Sequence, residues 1–143
     1  MKILSGFTAL LVCLVFAACN KSKTVIDAWD VEVGLLESTP FPALEEIQPY
    51  DDALVAHRYQ LLSAVAVERE SPALAVQQLI ILHWAIRDKK PIGSVKNFKQ
   101  GDVKKFTIQR KLDRSDLNGR YIKNGIDDFE LFLFVEAEGK TKS

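Results

Sequence analysis

Apolar and polar positions alternate most cleanly over Trp29 to Leu36, where Trp29, Val31, Val33 and Leu35 face one way and Asp30, Glu32 and Gly34 the other. A period of two is the signature of a half-buried strand. The same rhythm returns at Val103 to Leu112, with Lys105, Thr107 and Gln109 opposite Phe106 and Ile108. It returns again at Phe129 to Glu136, where Phe129, Leu131, Leu133 and Val135 alternate with Glu130, Phe132, Phe134 and Glu136. Ala53 to Val67 reads as a longer strand that bends or bulges. Val76 to Ile86, with Leu79-Ile80-Ile81-Leu82 at its centre, reads as a strand buried on both faces. A helix would also accommodate Leu74 to Ile86, but the β-branched residues and the flanking Pro72 and Pro91 favour the strand.

Between these runs the chain is irregular. Pro40, Pro42 and Pro49 exclude a helix or a central strand over Ser38 to Asp52, because proline lacks the amide donor. A wrapped loop with one turn at Ala43 to Ile47 fits instead. Glu68 to Pro72 reads as a turn, and residues 87–102 as a charged connection ending in Gln100-Gly101-Asp102. Asp113 to Asp128 carries the turn signals Asn118-Gly119 and Asn124-Gly125. Five strands with long irregular loops predict a mainly β domain, a small antiparallel five-stranded barrel or sandwich. The oligonucleotide/oligosaccharide-binding (OB-like) barrel is the commonest plan of that kind, and a plan carries no function by itself.

The first 18 residues follow different rules. Lys2 precedes an apolar stretch that ends in Phe16-Ala17-Ala18 before Cys19 and the hydrophilic run Asn20-Lys21-Ser22-Lys23. The stretch from Phe7 to Ala18 is shorter than the roughly 20 residues a membrane-spanning helix needs, and its layout is that of a removable secretory signal. Phe16-Ala17-Ala18-Cys19 resembles the lipobox of bacterial lipoproteins, although leucine is usual where Phe16 stands. The resemblance implies cleavage after Ala18, three acyl chains on Cys19 and attachment to the membrane. By similarity to enteric lipoproteins, Asn20 in place of aspartate implies sorting to the periplasmic face of the outer membrane. An ordinary signal peptide with a free Cys19 is the competing reading. The expected organisation is a signal peptide over 1–18, a lipidated Cys19 with a tether to residue 24, and one periplasmic domain over 25–143.

Composition narrows the function. Of two cysteines, Cys13 lies in the discarded leader and Cys19 takes the lipid, so no intramolecular disulfide is available. Loss of Lys2 leaves 18 basic against 19 acidic residues, a balance that argues against nucleic acid as a partner. Lys96, Lys99, Lys104, Lys105, Arg110 and Lys111 read as solvated outward positions. No G-x-S-x-G, phosphate loop or zinc-type spacing is present, so no catalytic residue, metal or cofactor is expected. His57 and His83 could meet across adjacent strands, completed by Asp51 or Asp88, but ordinary hydrogen-bonded histidines are the plainer reading. Asp51-Asp52 and Asp127-Asp128 read as turn residues rather than a glycosidase pair.

Leu82-His83-Trp84-Ala85-Ile86-Arg87-Asp88-Lys89-Lys90 is the most distinctive stretch. Trp84 and His83, with Arg87 and Asp88, are the candidate binding residues, since an aromatic face stacks on sugar rings and charged groups bond hydroxyls. The alternative is Trp84 as a core anchor under a charged turn. Together with Pro49-Tyr50-Asp51-Asp52-Ala53-Leu54-Val55, the strand around Tyr59, and Gly101-Asp102, this stretch resembles small periplasmic accessory proteins of alginate-type polysaccharide O-acetylation systems, over about residues 48–136. The resemblance implies a partner of a membrane acyltransferase rather than the transfer enzyme. The expectation is a lipid-anchored, non-enzymatic module holding an envelope protein complex or a polysaccharide. A pilotin-like targeting lipoprotein and a small envelope hydrolase are the alternatives.

Overall fold

Three strands form a meander in chain order: β1 (Ala28–Ser38), β2 (Ala53–Ala66) and β3 (Gln78–Arg87), each antiparallel to the last. The computed structural model describes residues 25–127 and 133–137. A two-residue strand, β4 (Lys90–Pro91), folds back on β3 through Asp88 and Lys89, both at positive φ, the conformation of a tight hairpin turn. The chain then returns to lay β5 (Val103–Arg110) antiparallel against the free side of β1. A fourth strand beside the first of a meander is the Greek-key arrangement.

Closure comes from β7 (Leu133–Glu136), which pairs parallel with β3 and antiparallel with β5. The ring β1-β2-β3-β7-β5 is a closed five-stranded barrel, with β4 and the three-residue β6 (Tyr121–Lys123) outside it. The small five-stranded barrel expected from the alternation is therefore present, with the pairing mixed rather than purely antiparallel. The two parallel seams, β3 with β7 and β2 with β6, arise because both late strands follow long connections instead of hairpins. Of the expected last strand, Phe129 to Phe132 lie outside the described residues.

Alternation sorts the side chains. Trp29, Val31, Val33 and Leu35 of β1 point into the lumen with Tyr59, Leu79, Ile81, Ile108 and Phe134. Outside the wall, Leu54, Ala56, Ile80, Leu82 and Val135 carry a second apolar layer, covered by Leu117 and Ile126 of the segment that leads to β7. This explains the unbroken apolar run of β3: one face lines the lumen and the other lies under that segment. A third cluster plugs the barrel end at Val55 and Ala85 with Ile47 of α1 (Leu44–Ile47) and Val95 of the 3-10 turn Val95–Asn97.

Candidate functional site

The loop over residues 39–52, the β3–β4 turn and the segment through β6 converge at one end of the barrel. Asp52 is the hub: one carboxylate oxygen accepts the Asp88 amide at 2.9 Å, and the other pairs with Arg120 at 2.8 Å. Lys123 reaches Glu46 at 3.0 Å, Gly125 donates its amide to the Thr39 hydroxyl at 3.0 Å, and the Lys89 amide donates to the Asp51 carbonyl. The Lys123 ammonium holds the Glu46 carboxyl below the ordinary carboxylate range. These bonds fix three loops against one another, which gives the surface they present a defined shape.

That surface is aromatic and charged. The Tyr50 and Tyr121 rings lie 5.9 Å apart and tilted, with Tyr50 46% exposed. Beside them a cleft of about 430 Å³ runs between Leu44, Pro49, Tyr50 and Lys89, over Ile47. Trp84 lies on the outer wall, half-buried against Leu54 and Ile122, with the Arg87 guanidinium 3.9 Å over its ring. Its indole N–H is buried with no hydrogen-bond partner among the described residues. Of the four sequence candidates, the structure brings Trp84 and Arg87 together and puts Asp88 in the hairpin turn tied to Asp52. Trp84 is neither a free platform nor a fully buried anchor.

His83 belongs elsewhere. The period of two that turns Trp84 outward turns His83 into the lumen, fully buried, where it joins a relay no sequence motif announced. Its Nε2 lies 2.7 Å from the Tyr59 hydroxyl and its Nδ1 2.7 Å from the Glu136 carboxylate. With Glu136 ionised, Nδ1–H donates to the carboxylate and Nε2 accepts the tyrosine proton, so all three groups are satisfied. Burial, with the Glu136 charge behind it, pushes the Tyr59 hydroxyl far above its ordinary range. Phe106 and Phe98 border the His83 ring at 4.8 and 5.8 Å between centroids, and Lys104 sits 4.7 Å over Phe98.

His57 and His83 do meet, at 5.6 Å between ring centroids. The carboxylate that completes the group is Glu136, whereas Asp51 and Asp88 stay with the turns outside. Burial, then the neighbouring His83, lowers the His57 pKa to about 4, although the carbonyls of Ala56 and Val95 favour its proton. Among the described residues no group of three or more His, Cys, Asp or Glu is arranged to hold a metal ion. Chemically, the relay can polarise the Tyr59 hydroxyl, which is on a residue 0% exposed. Asp51 and Asp52 make turn contacts, and Asp128 lies outside the described residues.

Sequence reasoning missed Tyr50, Tyr121, Tyr59 and Glu136. The first two lacked any local pattern. The last two carried a usable signal, since alternation from Val55 and from Phe134 places both on lumen-facing positions. No protein-family model matches this chain, and no match was found among curated proteins or solved structures.

Proposed function

We propose that this chain is a lipid-anchored, non-enzymatic binding module of the bacterial envelope, attached through Cys19 to the periplasmic face of the outer membrane, that holds a polysaccharide at the loop end of its barrel. The observation that carries the reading is the exposed Tyr50 ring, paired with Tyr121 and flanked by the Lys89 cleft on a rigid three-loop base. Aromatic faces present flat apolar area to sugar rings, while the lysine and nearby carboxylates bond hydroxyls. Sugar-binding OB-like barrels use the loops at this end and the adjoining strands. A role without catalysis is supported by the burial of Tyr59 and His83 in the lumen, where only the Glu136 end of the relay reaches solvent. Assistance to polysaccharide O-acetylation or export is the setting in which such a module would serve.

The test uses the full chain expressed with its leader. Cys19→Ser is expected to abolish incorporation of a palmitate analogue and to leave a larger, unprocessed form. The Tyr50→Ala, Lys89→Ala double variant is expected to lose retention on envelope polysaccharide while its melting temperature stays within about 3 °C of the parent, since both residues are surface groups. Undiminished retention by a stable double variant would refute this surface as the binding site. Label retained by Cys19→Ser would refute the anchor.

A further inference from the structure

Of the eight large apolar side chains that the described residues leave in solvent, four gather at one end of the barrel, while Leu44, Tyr50, Leu62 and Val103 lie elsewhere. Leu112 is 91% exposed, Val25 and Val65 are each 67% exposed, and Val67 is 49% exposed. All four lie at the barrel end opposite the Tyr50–Lys89 surface. The start of β1, the end of β2 and the end of β5 meet there: Ala28 stands beside Gln109, and its carbonyl accepts the Val67 amide at 2.9 Å. Asp27 ties the surrounding turns, accepting the Ser71 hydroxyl at 2.8 Å and pairing with Arg110 at 3.0 Å. Leu112 stands in the 3-10 turn Lys111–Asp113, directly after Arg110. Single exposed apolar residues need no explanation, but a group around one point of the fold does.

That point is where the chain comes in from Cys19. Five residues lie between Cys19 and Val25, a reach of at most roughly 20 Å. We infer that this end of the barrel rests on the lipid surface, with Leu112, Val25, Val65 and Val67 seated at the boundary between headgroups and acyl chains. The inference rests on lipid attachment at Cys19. A bilayer is the occupant that the short tether delivers to this face and to no other. Charge at the same end is mixed, with Arg69 and Lys111 beside Glu68, Glu70 and Asp113, so the contact is apolar rather than an attraction to anionic lipid. β1, with eleven residues, runs away from this end for roughly 35 Å along the strand, or about 25 Å along the axis at usual barrel tilts. The membrane contact would then hold the Tyr50–Lys89 surface facing away from the bilayer.

The experiment uses the lipidated mature chain in phosphatidylcholine vesicles. Its sole cysteine, Cys19, is blocked by lipid, so Leu112→Cys and Tyr50→Cys each supply one site for an environment-sensitive dye. At position 112, quenching by aqueous iodide is expected to fall several-fold relative to position 50, and quenching by lipids spin-labelled near the headgroup to rise. Adding phosphatidylglycerol or salt should change neither. Equal quenching at both positions, with the lipid on Cys19 verified by mass, would overturn the contact and leave the lipoprotein reading standing. A mature chain without lipid would remove both. Strong dependence on phosphatidylglycerol would overturn the apolar account.

Discussion

The His57 ring offers a quantitative test of how the barrel interior is built. It is 3% exposed, packed between His83, Tyr59 and Phe98, and burial lowers its pKa from 6.5 to about 4. In the unfolded chain the imidazole regains its ordinary affinity for the proton. Between pH 6.5 and 4 the unfolded state therefore binds a proton that the folded state refuses, and stability must fall as the pH drops through that window. Above pH 6.5 both states are neutral and His57 contributes no slope. At about 1.4 kcal/mol per pH unit, the full displacement corresponds to about 3 kcal/mol, of which about 2.5 kcal/mol is lost by pH 4.5. The perturbation is His57→Gln, whose amide bonds backbone groups without titrating. Urea unfolding, followed through the buried Trp29, is run on parent and variant at pH 7 and pH 4.5. Carboxylates titrate in both proteins and cancel in the difference. The variant should lose about 2.5 kcal/mol less than the parent across that interval. An identical loss in the two proteins would show that His57 takes up its proton in the folded state as readily as in the unfolded one, and the buried neutral imidazole would have to be abandoned.

Two further outcomes follow from the geometry. Trp84→Ala should destabilise by about 2 kcal/mol in the same assay, below the roughly 3–5 kcal/mol of a fully buried ring, because the ring is only half-buried, with Arg87 over one face; a change under about 0.5 kcal/mol would make it a surface residue. Glu136→Leu should destabilise by about 1–3 kcal/mol, because it strands the buried His83 Nδ1, and should split the backbone amide signals of Phe134 and Val135 into more than one set. A single sharp set would show that Glu136 has no part in placing its strand.

Much of the fold was legible because alternation is a local property. β1 and β5 expose and bury the residues their pattern assigns, and the proline-marked loop over 38–52 is a loop with one helical turn at Leu44–Ile47. What alternation cannot convey is which strand lies beside which. The parallel return of β7 onto β3 joins residues 53 apart, and β6 is three residues long, too short for any period. The candidate site suffered from the same limit. His83 and Trp84 are neighbours in sequence, and that neighbourhood suggested one platform. A strand sends neighbours to opposite faces, so one joined the lumen and the other the outer wall. Tyr50 and Tyr121 form their pair from loops 71 residues apart in a chain with no local sign of it.

The relay also explains how so short a closing strand finds its place. β7 has four residues, and both of its faces are apolar: Phe134 enters the lumen, while Leu133 and Val135 meet the outer layer. A slip of one residue would exchange the faces, putting valine and leucine in the lumen and phenylalanine outside. Hydrophobicity alone scarcely opposes that exchange, since every position still receives an apolar side chain. Glu136 does oppose it. In the observed register its carboxylate reaches His83 at 2.7 Å while 40% of the side chain stays in solvent. After a slip it would turn toward the outer face, leaving the buried His83 Nδ1 without its acceptor at about 1–3 kcal/mol. The polar group is thus worth more for what it forbids than for what it adds, because a hydrogen bond contributes modest net stability while a buried donor left unsatisfied costs its full desolvation. On this account the barrel closes in one register because β3 carries a histidine inside and β7 ends in an acid that reaches it.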